Sequence, residues 1–212
     1  MTDDTKNRLL EAAGQIFCDK GFELATVREI CDRAEANVAS VNYYFGDKQR
    51  LYIDAVRQAQ CICVGQVPMP EWDPAMLATE RLRAFVHTML SRMLYAERPA
   101  WHLGLMLREL ASPTAACAEV VDDYIRPMAE ELEKILADLL PAGTPRSQAY
   151  VTGFSIVGQC LFYYVHRPIA ELLIGVDEYR QLSVDRLADH IATFSLTALG
   201  YAQTTTPSAS KG

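Results

Sequence analysis

The chain has 212 residues, of which 50% are hydrophobic and 22% are charged, so it can bury the core of one large domain or of two smaller ones. Its formal net charge of −7 at pH 7 excludes a protein that binds nucleic acid through a uniformly basic surface. The N-terminus lacks the charged and then apolar layout of a signal peptide, and the longest uncharged run, 147–165, contains too many polar residues for a membrane span. We therefore expect a cytoplasmic protein that does not associate with a membrane.

The six cysteines are expected to be reduced thiols, because nothing in the sequence indicates export to an oxidising compartment. Cys61 and Cys63 form the only close pair, which could ligate a metal or sense oxidation. No histidine or acidic residue lies within several positions of them. We therefore expect no metal and no cofactor.

Helical periodicity dominates the first part of the chain. An apolar stripe predicts a first helix over 5–20 that ends at Gly21. Thr26 and a glutamate three residues later have the spacing of a capping box and open a second helix. Asn37 can cap a third helix of about seven residues, and a fourth helix is expected over 47–64, capped by its first residue, an aspartate.

The remainder of the chain is also predicted to be helical. Residues 65–74 contain three prolines and predict a linker. Pro127 falls inside a helical pattern, so a kink or a break is expected there. The helical segments that follow the linker are 75–96, 100–111, 114–140, 145–166 and 183–202. The fold class predicted is all-α, with a domain over 1–64, the linker, a larger helical domain over 75–203 and a flexible tail over 204–212.

The second and third helices, joined by a tight turn and braced by the first, predict a helix-turn-helix. A seven-residue helix is not stable alone, so its apolar side must pack on the first two helices. This leaves Ser40, Asn42 and Tyr43 for a DNA major groove, where an amide can pair with adenine and a phenol can reach a phosphate or a thymine methyl. Lys48 is unfavourable at the start of a helix. It either meets a phosphate or is simply solvated.

Residues 26–34, 38–48 and Leu51 resemble the DNA-binding domain of TetR-family transcriptional regulators, and the likeness extends over 6–57. The resemblance implies that four side chains lie near base edges, namely Arg28, Val38, Ala39 and Ser40. It also implies that five lie at or near phosphates, namely Thr26, Asn42, Tyr43, Tyr44 and Lys48.

The chain departs from the family pattern at two positions. Glu35 occupies a turn position that is usually glycine, and it adds an acidic group near the entrance to the groove. Tyr44 stands where members often carry histidine. Because few side chains here could donate hydrogen bonds to bases, readout is expected to rely on DNA shape and apolar contact.

The second part of the chain, over about 80–175, resembles the CecR-type C-terminal domain, on residues 107–109, 113–114, 124–127 and 155–163. The resemblance implies a domain that binds a small-molecule effector and forms a homodimer. A pocket needs an apolar wall with a few polar groups. The candidates are Met89, Met93, Trp101, His102, Leu105, Met106, Arg108, Gln159 and Tyr163.

Each of these pocket candidates could instead have an ordinary packing role. Clustered methionines suit an adaptable pocket and an ordinary core alike. Arg108 with Glu109 is more simply a structural ion pair than a ligand clamp.

Two helices favour dimerisation. The helix over 145–166 is apolar nearly all round and carries small residues that permit close approach, and the helix over 183–202 has an apolar stripe. The TetR resemblance implies that two such helices from each subunit form a four-helix interface with two-fold symmetry. The two reading heads would then lie about 34–36 Å apart, or a multiple of that distance.

Two other classes of protein fit the sequence less well. An enzyme is not expected, because none of the four histidines follows a glutamate at the di-iron spacing and the chain has no phosphate loop or nucleophile elbow. A helical adaptor that has lost DNA binding is the main alternative, favoured by the acidic charge and Glu35.

The sequence favours a dimeric repressor that a small apolar or amphipathic molecule releases from a palindromic operator. It does not decide whether the protein represses or activates transcription.

Overall fold

The computed structural model describes residues 2–73, 75–94 and 99–201, apart from the side chains of residues 2, 3 and 61–64. All regular elements in these ranges are helices, which confirms the all-α prediction. They are α1 (Thr2–Leu24), α2 (Val27–Ala34), α3 (Val38–Phe45), α4 (Lys48–Gln66), α5 (Ala78–Leu94), α6 (Ala100–Ala111), α7 (Ala115–Val120), a π-helical segment (Val121–Ile125), α8 (Arg126–Leu139), α9 (Arg146–Val165), α10 (Arg167–Ile174), α11 (Val176–Arg180) and α12 (Val184–Ala198).

The helices divide into two compact units. The first contains α1 to α4, α6, α7 and the π-helical segment, and the second contains α5, most of α8, and α9 to α12. The predicted linker contains the end of α4 and a stretch without regular secondary structure over 67–73. The predicted tail, 204–212, lies outside the described residues.

The first unit is built around α1, which packs on α2, α4 and α6. Its predicted apolar stripe is buried, with Leu9 and Phe17 fully enclosed. The ring of Phe17 meets the ring of Tyr52 edge to face, with centroids 4.8 Å apart. Gly14 lies directly under the indole of Trp101, where any Cβ would overlap the ring. Close packing of α6 on α1 therefore depends on this glycine.

Two predicted interruptions are visible in the structure. Helical geometry is broken at Gly21, the predicted end of the first helix, where φ is 77° and ψ is 173°. A short second piece of α1 then continues to Leu24. A glycine permits this left-handed φ at low cost. Pro127 lies in the first turn of α8, directly after the π-helical segment, so the expected break is a local change of helix type.

A buried carboxylate connects α4 with α6 and α7. Glu109 is 3% exposed. It accepts a hydrogen bond from the phenol of Tyr52, and further bonds at 3.2 Å from the backbone N–H of Thr114 and at 3.0 Å from its hydroxyl. Burial, together with the hydrogen bond to Glu109 and its negative charge, raises the pKa of the Tyr52 phenol well above its ordinary value.

Ion pairs on the exposed side of α4 connect it to α7 and to the π-helical segment. Arg50 and Arg57 each lie 2.9 Å from a carboxylate oxygen of Glu119, and Arg57 also lies 2.8 Å from Asp123. The carboxylates belong to α7 and to the π-helical segment. A buried hydrogen-bonded group and a cluster of partly exposed charges therefore connect α4 to these neighbours.

The second unit is built around α5, which packs on α12 and α9. The buried side chains include Phe85 of α5, Ile191 of α12 and Ile156 of α9. Between the predicted segments 145–166 and 183–202, the structure has two further short helices, α10 and α11. Among the described helices, none combines the length and apolarity needed to cross a membrane.

The Tyr52 hydrogen bond yields a prediction about stability and its dependence on pH. Tyr52→Phe should lower the free energy of unfolding at pH 7 by about 1–3 kcal/mol, because the buried Glu109 carboxylate loses a donor. The raised pKa means that the phenol ionises first in the unfolded chain, near pH 10. The advantage of the wild-type protein is therefore full below about pH 10 and shrinks above it.

Urea unfolding of both proteins at neutral pH and above pH 10 measures this difference. Tyr43→Phe is the matched control, because Tyr43 is exposed and its phenol has no described hydrogen bond. A gap between wild type and Tyr52→Phe that stays constant with pH would contradict the assignment.

Candidate DNA-binding interface

The second helix begins with the capping box that the sequence predicted. The Thr26 hydroxyl oxygen accepts a hydrogen bond from the backbone N–H of Glu29 at 3.2 Å, and the Glu29 carboxylate accepts from the backbone N–H of Thr26 at 3.4 Å. Ile30 and Cys31 are buried under α2. This holds the exposed side chains of Thr26 and Arg28 at the beginning of the motif.

A tight turn connects α2 to α3. Glu35 closes α2 in the left-handed conformation, with φ and ψ both at 48°. The backbone N–H of Ala36 donates to the carbonyl of Cys31 at 3.0 Å, which is the pattern of a Schellman motif. Asn37 then caps α3, as predicted, because its side-chain oxygen accepts from the backbone N–H of Ala39 at 2.9 Å.

The third helix buries only two of its side chains, Val41 and Phe45. The side chains of Ala39 and Asn42 are exposed, and Tyr43 is 78% exposed. Two more candidates, Ser40 and Tyr44, are partly buried. The helix therefore presents a continuous outer face of mixed apolar and polar character.

Val38 is more exposed than the other apolar residues of α3. It is 46% exposed, whereas Val41 and Phe45 are buried. Val38 is the first residue of α3 and lies one turn before the buried Val41. Its side chain is accessible, as the TetR resemblance implied for a residue near base edges.

Lys48 has neighbours that neither sequence-based alternative described. Its ammonium group donates to the backbone carbonyl of Glu23 at 3.4 Å and lies 4.5 Å from the ring centroid of Phe22. These contacts connect the start of α4 to the end of α1. Lys48 is therefore held in place by contacts within the protein.

Lys6 is a cation that the sequence analysis did not select. Its ammonium group lies 6.0 Å from the ring centroid of Phe45, the last residue of α3. No local pattern identifies it, because its position depends on how α1 packs against α3. The structure thus adds a basic group beside the C-terminal end of α3.

Two family profiles match the chain. The profile described as "Bacterial regulatory proteins, tetR family" matches residues 9–55, and the profile described as "HTH-type transcriptional dual regulator CecR, C-terminal domain" matches residues 78–199. The second match alone covers more than half of the chain. The chain belongs to the TetR family of transcriptional regulators, with a CecR-type C-terminal domain. Proteins of this kind are DNA-binding regulators and are not enzymes.

Curated relatives cover most of this TetR-family chain. The HTH-type transcriptional dual regulator CecR of Shigella flexneri is 27% identical over 187 residues, which are 82% of this chain and 81% of the relative. The HTH-type transcriptional repressor NicS of Pseudomonas putida is 25% identical over 186 residues, 82% of each chain.

Solved structures share the fold at lower sequence identity. The hemolysin II transcriptional regulator HlyIIR has a TM-score of 0.55 and 19% identity, covering 90% of this chain and 98% of its own. A TetR-like regulator from Rhodococcus sp. RHA1 has a TM-score of 0.57 and 18% identity, covering 93% and 97%. At these identities the likeness supports the fold alone.

The effector candidates of this TetR-family protein fall in both units. Trp101, His102, Leu105, Met106 and Arg108 belong to the first, and Met89, Met93, Gln159 and Tyr163 belong to the second.

Two of the first-unit candidates bond to α1. The Trp101 indole N–H donates to Glu11 at 2.8 Å, and Arg108 donates to the backbone carbonyls of Cys18 and Asp19 at 3.1 and 3.3 Å. The suggested ion pair between Arg108 and Glu109 is wrong, because Glu109 instead accepts from Tyr52 and Thr114.

The candidates of the second unit lie on α5 and α9. Met89 is buried and Met93 is partly buried. The Gln159 amide donates to the carbonyl of Ser155 at 3.2 Å, and the backbone carbonyl of Tyr163 accepts from the Tyr179 phenol at 3.3 Å. The side chains of Cys61 and Cys63, the other pair singled out by sequence, lie outside the described set.

Aromatic side chains on α9 and on α12 are largely exposed in the second unit. Phe154 of α9 is 72% exposed, and its ring stacks on that of Tyr150. Phe194 of α12 is 60% exposed, in an open groove also lined by Asp189, His190, Thr193 and Thr197. Large aromatic side chains at this exposure are typical of a surface that another protein covers.

The cap of α3 yields a prediction about stability. Asn37→Ala should lower the free energy of unfolding by about 0.5–2 kcal/mol, because the N–H of Ala39 loses its partner. Asn42→Ala should be neutral or slightly stabilising, because Asn42 is exposed and alanine favours helix. Urea denaturation compares the two, and an equal loss of stability in both would contradict the capping assignment.

Proposed function

We propose that this protein is a homodimeric repressor in the cytoplasm that binds a palindromic operator in double-stranded DNA. A small apolar or amphipathic effector releases it. The observation that carries the proposal is the outer face of α3, since Ala39, Asn42 and Tyr43 are exposed on a helix held by only two buried side chains. Packing does not require a phenol or an amide at these positions.

The TetR resemblance supports the roles that we propose at the DNA. Arg28, Val38, Ala39 and Ser40 contact base edges in the major groove. The phosphates are contacted by Thr26, Asn42, Tyr43, Tyr44 and Lys48. Lys48 is favoured for this role because its contacts with Glu23 and Phe22 reduce the side-chain entropy lost on binding.

The proposed domains follow the sequence boundaries. Residues 1–64 bind DNA, 65–74 form the linker, and 75–203 contain the effector and dimerisation regions. The packing of α6 on α1 and α4 supports a route for the effector signal. A change in α6 or α7 would act on α4 through Glu109 and through the carboxylates that hold Arg50 and Arg57.

The effector acts only through its different affinity for the conformations that bind and do not bind the operator. Pocket candidates on α5 and α9 are Met89, Met93, Gln159 and Tyr163. Those on α6 already pack on or bond to α1, so an effector that contacts them would disturb the helix on which α3 depends.

Tyr43 gives a direct test of the recognition face. Tyr43→Ala should weaken operator binding at least tenfold, since a lost contact of this kind costs about 1–3 kcal/mol in each subunit. Stability should change little because the side chain is 78% exposed. Fluorescence anisotropy with a labelled operator duplex measures the affinity.

Tyr43→Phe distinguishes the two contacts that the phenol could make. If the hydroxyl donates to a phosphate, Phe should bind as weakly as Ala, and if the ring touches a thymine methyl, Phe should bind as the wild type does. Wild-type affinity in both variants would remove Tyr43 from the interface.

The apolar face of α9 gives a test of dimerisation. Phe154→Lys should shift the protein towards monomer by at least tenfold in dissociation constant, because burying an unpaired ammonium group opposes association. Leu77→Lys is the matched control, since Leu77 is 64% exposed and precedes α5. Sedimentation velocity measures both, and equal dimerisation of the two variants would place the interface elsewhere.

A further inference from the structure

Glu35 has a backbone conformation that its side chain does not favour. Its φ of 48° is the one positive value at a non-glycine residue within the described ranges. Glycine is the usual residue at such a position, because a Cβ in the left-handed region crowds the backbone. Asparagine and aspartate tolerate it better than glutamate does. Local structure therefore does not explain why position 35 carries a glutamate.

The turn itself requires this conformation. The N–H of Ala36 reaches the carbonyl of Cys31 at 3.0 Å, and the N–H of Glu35 reaches the carbonyl of Asp32 at 3.4 Å. These bonds end α2 and direct the chain into Asn37, the cap of α3. Any residue at position 35 must adopt the left-handed region for the motif to form.

The carboxylate of Glu35 does not offset the strain by bonding within the protein. The side chain is exposed, and among the described residues it has neither an ion pair nor a hydrogen bond. A strained residue that gains nothing locally points to a role outside the folded chain.

The location of Glu35 suggests what that role is. It lies two residues before the cap of α3, and in a helix-turn-helix the N-terminal part of this helix approaches the DNA most closely. The N-terminus of a helix attracts phosphate through its free N–H groups. A carboxylate at this point opposes that attraction.

We propose that Glu35 lowers the affinity of the protein for duplex DNA of any sequence by repelling phosphates beside the groove that α3 enters. The inference rests on the proposed function. An effector can reverse operator binding only by its differential affinity for two conformations, so a weaker operator complex needs a smaller difference to be released. Glu35 thus makes the regulator easier to release, at the expense of a strained turn.

The test compares three variants of the full-length protein. Glu35→Gln removes the charge and keeps the strain, and Glu35→Gly removes both. Glu130→Gln is the control, since it makes the same charge change at an exposed position on α8. Fluorescence anisotropy is measured at low and moderate salt, with a duplex that the wild-type protein selects from its genome and with a random duplex.

Glu35→Gln is expected to bind both duplexes about three- to tenfold more tightly than the wild type at low salt, and the gain should diminish with added salt. Glu35→Gly should bind as Glu35→Gln does and should also unfold at a higher urea concentration. Glu130→Gln should match the wild type.

Three results would overturn the proposal. The first is wild-type affinity in Glu35→Gln, and the second is tighter binding by Glu35→Gly alone. The third is an increase in the affinity of Glu35→Gln that is confined to the selected duplex. The last result would mean that Glu35 reads a base. If the wild-type protein prefers no duplex at all, the proposed function fails instead.

Discussion

The helix-turn-helix depends on the packing of one short helix, α3, against the rest of the first unit. The eight residues of α3 are too few to be helical alone, so its conformation requires the burial of Val41 and Phe45. The caps at both ends contribute, since Asn37 satisfies the first turn and Gly46 closes the last with a φ of 85°. Because so little of the helix is used for packing, the rest of its surface is available to meet DNA.

Because α3 is held by so few contacts, its position depends on α4, the next helix along the chain. It follows α3 after two residues, and Lys48 holds its start against the end of α1. Further along, Tyr52 contributes to the core and donates to the buried Glu109. A carboxylate that is buried with all its partners in place is sensitive to their displacement, because an unsatisfied charge is costly to bury. Small shifts of α6 or α7 would therefore be transmitted to α4.

Local features were predictable from the sequence, and long-range ones were not. The capping box at Thr26, the cap at Asn37 and the buried stripe of α1 all follow from residues within a turn or two of one another. Tyr52 is 57 residues from Glu109, Cys18 is 90 residues from Arg108, and Glu23 is 25 residues from Lys48, so no local pattern indicated these hydrogen bonds. The interruption of helical geometry at Gly21 was predictable too, because glycine adopts a positive φ at low cost.

The measurement that tests the account most directly is a selection of fragments from the protein's own genome, followed by anisotropy titration of the enriched duplex against random DNA. The account predicts preferential binding that weakens with salt and saturates at two subunits per site. Enrichment of no fragment, with equal and feeble binding to both duplexes, would contradict it. The exposed face of α3 would then belong to a helical adaptor with a protein partner.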